Sequence, residues 1–164
     1  MDNNLQKLRE LTKKLLDMDM LEVRGDDFYK TVARLAKIQP EAGYDLLDNA
    51  AIGVHLVDGN GMILWANAFE LEALDYKPHE YFGKSITDFH LDPDVIEHIL
   101  KTLVGGGMLD AYPARLKASN GDVAYVLINS NVYTKDEKFV HTRCFTMQIS
   151  KSTYDSLRKD GGNA

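Results

Sequence analysis

The chain has 164 residues, 45% hydrophobic and 27% charged, which suits one domain with a core of its own and some extra segments. Its single cysteine, Cys144, excludes an intramolecular disulfide and a zinc site built from several thiolates. Net charge is −6, all of the acidic excess falls after residue 44, and no cluster of Lys and Arg offers itself to phosphates, which argues against nucleic acid as a partner. No apolar run approaches the roughly 20 residues of a membrane helix, and Met1-Asp2-Asn3-Asn4 lacks the basic-then-apolar start of a signal peptide. The expectation is a cytoplasmic protein that does not meet the membrane.

Leu8, Leu11, Leu15 and Met18 recur at helical intervals with charge between them. This coiled-coil-like stripe is too short to be stable alone, so it must pack on its own domain or on a second copy of the chain. After a break at Arg24-Gly25-Asp26-Asp27, Asp26 or Asp27 caps a second predicted helix carrying Phe28, Val32, Leu35 and Ile38, which stops before Pro40. A third short helix is expected over Tyr44–Ala50. Residues 1–44 thus form a helical extension, residues 45–150 the main domain, and residues 151–164 a C-terminal linker helix and tail.

From Ile52 the period becomes that of strands. Gly53–Val57 and Met62–Ala66 flank Asp58-Gly59-Asn60-Gly61, where Asn-Gly supplies the positive φ of a tight hairpin. Asn67 with Glu70 three positions on is a capping-box signature for a helix running to Leu74. Pro78 opens another short helix, His79–Phe82, before Gly83. Asp92-Pro93-Asp94 starts the longest helix, which buries Val95, Ile96, Ile99, Leu100 and Leu103 and ends at Gly105-Gly106-Gly107. Three strands follow, Ala111–Ala118, Val123–Tyr133 and Phe139–Ser150, joined by Asn120-Gly121 and by Lys135-Asp136-Glu137-Lys138. Ser152 is the expected cap of a last helix. Strands and helices are segregated, so the class is α+β with an antiparallel sheet.

The order ββαααβββ resembles a PAS domain. The residues that carry the likeness are Ile52-Gly53-Val54, Asp58 with Gly61, Asn67, Phe82-Gly83-Lys84-Ser85, Ser119-Asn120-Gly121-Asp122 and the closing strand Cys144-Phe145-Thr146-Met147-Gln148-Ile149-Ser150. The stretch Phe139–Thr146 is similar to a PAS subgroup of bacterial sensor kinases. The chain departs from the family in having Asp75 where Gly is usual and Met147-Gln148 where an acidic residue is usual. The resemblance implies a five-stranded antiparallel sheet curved around a pocket, with short helices on one side and N-terminal helices before it. It implies a sensory module of two-component type, a homodimer through its leading helices, that relays the state of a small ligand or partner to an effector such as a kinase. The alternative is an interaction and dimerisation module without a ligand. The fourteen residues after position 150 leave no room for an effector domain, so the chain reads as a stand-alone sensor or a piece of a longer one.

The resemblance leaves the cofactor unknown. Flavin-binding light sensors of the family carry Asn-Cys-Arg-Phe-Leu where this chain has Asp88-Phe89-His90-Leu91-Asp92, which argues against a flavin with a photoreactive cysteine. Cys144, on the last strand, reads as packing and not as chemistry, and its place also argues against the photoactive-yellow-protein class. The haem class takes an axial His from the long helix, and the matching residue here is Asp94, which argues against haem. His90, Asp94 and His98 are weak candidates for a divalent ion, since capping already explains Asp94 and a His pair eight apart fits no familiar zinc pattern. The chain has no Gly-x-Ser-x-Gly elbow, Walker loop or Cys–His signature, so it is not expected to be an enzyme. The ligand candidates are a polar set on the last three strands: Tyr112, Arg115, Asn129, Asn131, His141 and Arg143. If their face lines the pocket they would orient an anionic or amide-bearing ligand; otherwise they form a solvated face or the seat of the N-terminal helices. Trp65 and Phe69 read as core or dimer-facing aromatics.

Overall fold

The computed structural model describes residues 40–160. The Leu8, Leu11, Leu15, Met18 stripe, the helix expected beyond Phe28 and the tail from Gly161 lie outside the described residues. Two compact units divide between Asn49 and Ala50. In the first, α1 spans Pro40–Asp48, an earlier start than the helix expected over Tyr44–Ala50; proline at its first described position lacks an amide that the first turn of a helix does not use. Asn49 closes it, its backbone and side-chain amides both donating to Asp45 O at 3.0 and 2.9 Å.

The second unit carries the sheet. Its strands are β1 Gly53–Val57, β2 Ile63–Ala66, β3 Leu109–Lys117, β4 Val123–Lys135 and β5 Lys138–Gln148. They lie in the order β2-β1-β5-β4-β3, antiparallel at every pairing. Between β2 and β3 run α2 Ala68–Ala73, α3 Pro78–Tyr81, a 3-10 turn Ile86–Phe89 and α4 Pro93–Val104; α5 Lys151–Asp160 follows β5. Among the described residues the expected order of strands and helices is the observed one, with the 3-10 turn added.

The turns explain the punctuation. Asp58 Oδ1 accepts from Asn60 N and Met62 N at 2.8 and 2.9 Å, and Gly61 takes φ +79°. Asp136 and Glu137 both adopt positive φ, 51° and 61°, the backbone of a primed two-residue hairpin built here without glycine. Asp75 also sits in the left-handed region, at φ 57°, so the family's usual glycine has a conformational reason and Asp is a tolerated substitute.

The inner face of the sheet packs against the helical crossover. Val57, Ala66, Ala114, Leu116, Val126 and Ile128 meet Phe89, Val95, Ile96, Ile99 and Leu103, all buried. Each large side chain so buried is worth about 1.5–3 kcal/mol. The crossover is stitched to the edge strands, with Ser85 bridged to Met62 and His90 to Leu116. Leu91 N also donates to Arg115 O at 3.0 Å. Two caps differ from expectation. The Asp92 side chain makes no cap bond and instead holds Arg115 in a two-pronged ion pair. At α5 the cap is Ser150, whose Oγ accepts from Thr153 N at 3.1 Å, and not Ser152.

Candidate functional site

Strand register assembles the site. His55 on β1 stands opposite Cys144 on β5, and Cys144 opposite Ser130 on β4. All three point to the inner face, where a sheet core is ordinarily apolar, and all are at most 4% exposed. Two pairs along, on the same face, Gly53 faces Thr146.

The fourth member arrives from α2. Asn67 Oδ1 accepts from Glu70 N at 3.0 Å, as the capping signature predicts, and also from Val54 N at 2.9 Å. The reciprocal half of the box does not form, because Asn67 N already donates to Val54 O at 2.9 Å. The Glu70 carboxylate turns into the core, 2% exposed. There it receives His55 Nδ1 at 3.1 Å, Tyr81 OH at 3.4 Å and the Thr146 hydroxyl. Gly53 makes the room, since a Cβ there would overlap Glu70 Oε2 and Thr146 Oγ1.

Cys144 Sγ lies 2.9 Å from Ser130 Oγ and 3.3 Å from Thr142 Oγ1, and Cys144 stands directly across the strand pair from His55. Burial alone would lower the His55 pKa; the sulfur and the carboxylate beside it outweigh that and raise it to about 10. Burial alone would raise the Cys144 thiol; the charged imidazole wins, and its pKa lies below the usual value. Burial, then the Glu70 carboxylate, pushes the Tyr81 hydroxyl up, so it stays a proton donor. The arrangement is a thiol, an imidazole and a carboxylate in series, with hydroxyls fixing each end.

A cavity of about 40 Å³ adjoins this row. His55, Cys144 and His90 line it together with the apolar side of α4, and it reaches the surface beside Gly59 and Val104, the latter 71% exposed. His90 is 6% exposed, and its Nδ1 is, among the described residues, the buried side-chain nitrogen or oxygen with no hydrogen-bond partner. Burial, then the His55 charge, lowers its pKa to about 4, so His90 is neutral. At roughly 10–15 Å³ per water the cavity admits about three waters. It does not fit a flavin or a haem, whose sites run to several hundred Å³, and the loop before α4 offers neither group a thiol.

The expected site residues lie elsewhere. Asn129, Asn131, His141 and Arg143 share the outer face of the sheet, opposite the cavity, so the condition for their binding a pocket ligand is not met. Asn129 Oδ1 accepts from Ala111 N at 2.9 Å, Arg143 Nε donates to Asn131 Oδ1 at 2.8 Å, and His141 packs on Tyr133. Arg115 is held by Asp92 on that same outer face. Tyr112 faces inward and stacks on His98, ring centroids 5.2 Å apart. His90, Asp94 and His98 are not brought together: His90 is buried, the other two are exposed, and no metal-ligating group of three occurs among the described residues. The residues that do converge, His55, Glu70 and Cys144, gave one local signal, a Glu at a capping position; their meeting depends on strand register.

A family model described as the PAS fold matches residues 41–149. No curated protein matches the chain. Solved structures share the fold at low identity. The PAS domain of an HTR-like protein from Haloarcula marismortui is 17% identical with a TM-score of 0.58, over 74% of this chain and 99% of that one. A light-oxygen-voltage domain studied with a flavin analogue is 16% identical with a TM-score of 0.64, over 77% and 98%. A PAS domain from a two-component sensor histidine kinase is 14% identical with a TM-score of 0.57, over 70% and 99%. With two thirds of its length matched by the family, and with the family's strand order and helical crossover in place, this chain belongs to the PAS family.

Proposed function

We propose that the chain is a non-catalytic sensory module of signal transduction that takes a small ligand in the cavity at His55, Cys144 and His90. The unpartnered His90 Nδ1 carries this reading. A buried polar atom left unpaired costs about 1–3 kcal/mol, and an occupant that bonds it recovers that energy. The occupant has only a few heavy atoms, because the cavity holds no more. Binding shifts a population between packings of the flanking helices, which act as a dimer and engage an effector such as a kinase. The connections support such a route. Asp92, at the start of α4, holds Arg115 on β3, and α5 lies over β3 and β4, with Tyr154 buried against Tyr125.

The test is native mass spectrometry of the chain as purified from cells, beside its denatured mass. A dimer with an extra non-covalent mass that disappears in His90→Phe is the expected result. A bare polypeptide mass, with no thermal shift in a panel of small metabolites, would favour an interaction and dimerisation module instead.

A further inference from the structure

We infer that Cys144 is a peroxide-reactive thiol, with the cavity as the binding site of hydrogen peroxide and His55 as the proton donor to its leaving oxygen. The inference deepens the proposed sensory reading by naming the chemical input. It rests on two independent features. Glu70 holds the His55 imidazole by a hydrogen bond, and His55 stands directly opposite Cys144 in the β1–β5 pair, both of them lining the cavity. Separately, His90, more than nine-tenths buried, lines the same cavity with an unpartnered nitrogen.

The occupant these features select is small, uncharged, and both a donor and an acceptor of hydrogen bonds. A cavity of about 40 Å³ excludes the acyl and peptide substrates of thiol hydrolases. It accepts a two-oxygen molecule, and its exposed mouth at Val104 gives an entry. His90 Nδ1 bonds one peroxide hydroxyl in either tautomer, since peroxide offers both a proton and lone pairs. The reacting form of Cys144 is the thiolate, which the neighbouring imidazolium favours.

In the step itself, a lone pair of the Cys144 thiolate attacks the nearer peroxide oxygen. The S–O bond forms as the O–O bond breaks, and that oxygen keeps its hydrogen, giving the sulfenic acid Cys–S–OH. The departing hydroxide takes the proton of the His55 imidazolium and leaves as water. Sulfur is oxidised by two electrons, peroxide is reduced by two, and His55 ends neutral beside Glu70. The sulfenic acid is the reversible rung of cysteine oxidation, as a sensor requires.

The test uses the full chain, hydrogen peroxide as the probe, and a cyclic 1,3-diketone that traps sulfenic acid, read by intact mass. With a single cysteine the site of labelling is unambiguous. The folded chain is expected to label at least tenfold faster than the same chain in urea, with His55→Gln and His90→Phe each lowering the folded rate several-fold. A folded rate equal to or below the rate in urea would overturn the inference, even if His55→Gln fails to fold. So would an unchanged rate in a folded His90→Phe. Fast labelling with no change in oligomeric state or helix exchange would keep the site and refute the sensory reading. No labelling, alongside a co-purifying ligand, would do the reverse.

Discussion

Gly53→Ala puts the buried polar row under a direct steric test. Gly53 is not among the residues at positive φ, so its backbone accepts a side chain and the added methyl meets only its neighbours. Those neighbours are Glu70 Oε2 and Thr146 Oγ1, both of which it would overlap. The carboxylate must swing away, leaving His55 charged and buried without its partner. Breaking a buried pair in this way costs about 3–5 kcal/mol, and the lost Thr146 bond adds about 1. Restricting the unfolded chain returns about 0.4–1 kcal/mol. The net loss is about 3–5.5 kcal/mol, or roughly 12–22 °C in Tm at about 4 °C per kcal/mol for a domain of this size. Urea denaturation and calorimetry read it directly. The mechanism itself is tested by repeating the substitution in Glu70→Ala, where the clashing oxygen is gone and only Thr146 resists. There Gly53→Ala should cost about 1 kcal/mol, a coupling of about 2–4.5 kcal/mol in the cycle. Equal losses in the two backgrounds would show that Gly53 is needed for some reason other than space for the carboxylate.

Three further outcomes follow from the same coordinates. His55 has a folded pKa raised from 6.5 to about 10, so its stabilisation is complete below pH 6.5 and is lost as pH climbs toward 10. Cys144, its thiol pKa lowered, contributes with the opposite sign up to about pH 8.5, where the unfolded thiol also ionises. Urea unfolding should therefore show the net fall between about pH 8.5 and 10, and Glu70→Gln should flatten it. An unchanged slope would remove the carboxylate from the account; the tyrosines with raised pKa, Tyr76, Tyr81 and Tyr154, lose their contributions only above pH 10. Ala111 sits at φ 47° in the irregular stretch between Leu109 and Tyr112, a conformation that glycine adopts freely, so Ala111→Gly should gain about 0.5–1 kcal/mol in chemical denaturation; a loss would mean its methyl packs usefully. Arg115→Ala breaks the pair with Asp92, but Arg115 is 39% exposed and solvent screens it, so the loss should stay below about 1 kcal/mol. Faster amide exchange over residues 151–160 in that variant would tie the pair to α5, and unchanged exchange would separate them.

Local rules made most of the fold legible. Alternation, the Asn-Gly turns and Pro93 located five strands and the longest helix to within a few residues. Asp92 misled because a carboxylate at a helix start has a second use when an arginine crosses nearby, and Arg115 lies on a strand that sequence distance hides. The site was less legible for the same reason. The alternation along β4 and β5 correctly placed Asn129 with Asn131 and His141 with Arg143. Which of the two faces turns toward the helices is set by where the apolar residues Val126 and Ile128 fall, and on β5 by Thr142, Cys144 and Thr146, which share that face. On β5 the inner face is polar and the outer face carries Phe145, so hydrophobicity alone points the wrong way. Glu70 reads as a cap until Asn67 N is found bonded in the sheet.

That inversion on β5 bears on what the core is for. A chain selected only to fold would fill the positions of His55, Glu70 and Cys144 with apolar side chains, since a buried ion pair adds little or nothing over well-packed hydrocarbon. Here the polar row is instead provided for in detail. Gly53 gives space to the carboxylate, Tyr81 and Thr146 donate to it, and Ser130 and Thr142 flank the sulfur. Amid that saturation His90 Nδ1 has no hydrogen-bond partner, and His90 lines the cavity together with Cys144 and His55. Packing accident would scatter open valences away from reactive groups. One unpaired nitrogen, on a residue that lines the same cavity as the thiol and the imidazole, is what the proposed binding of a small molecule would use.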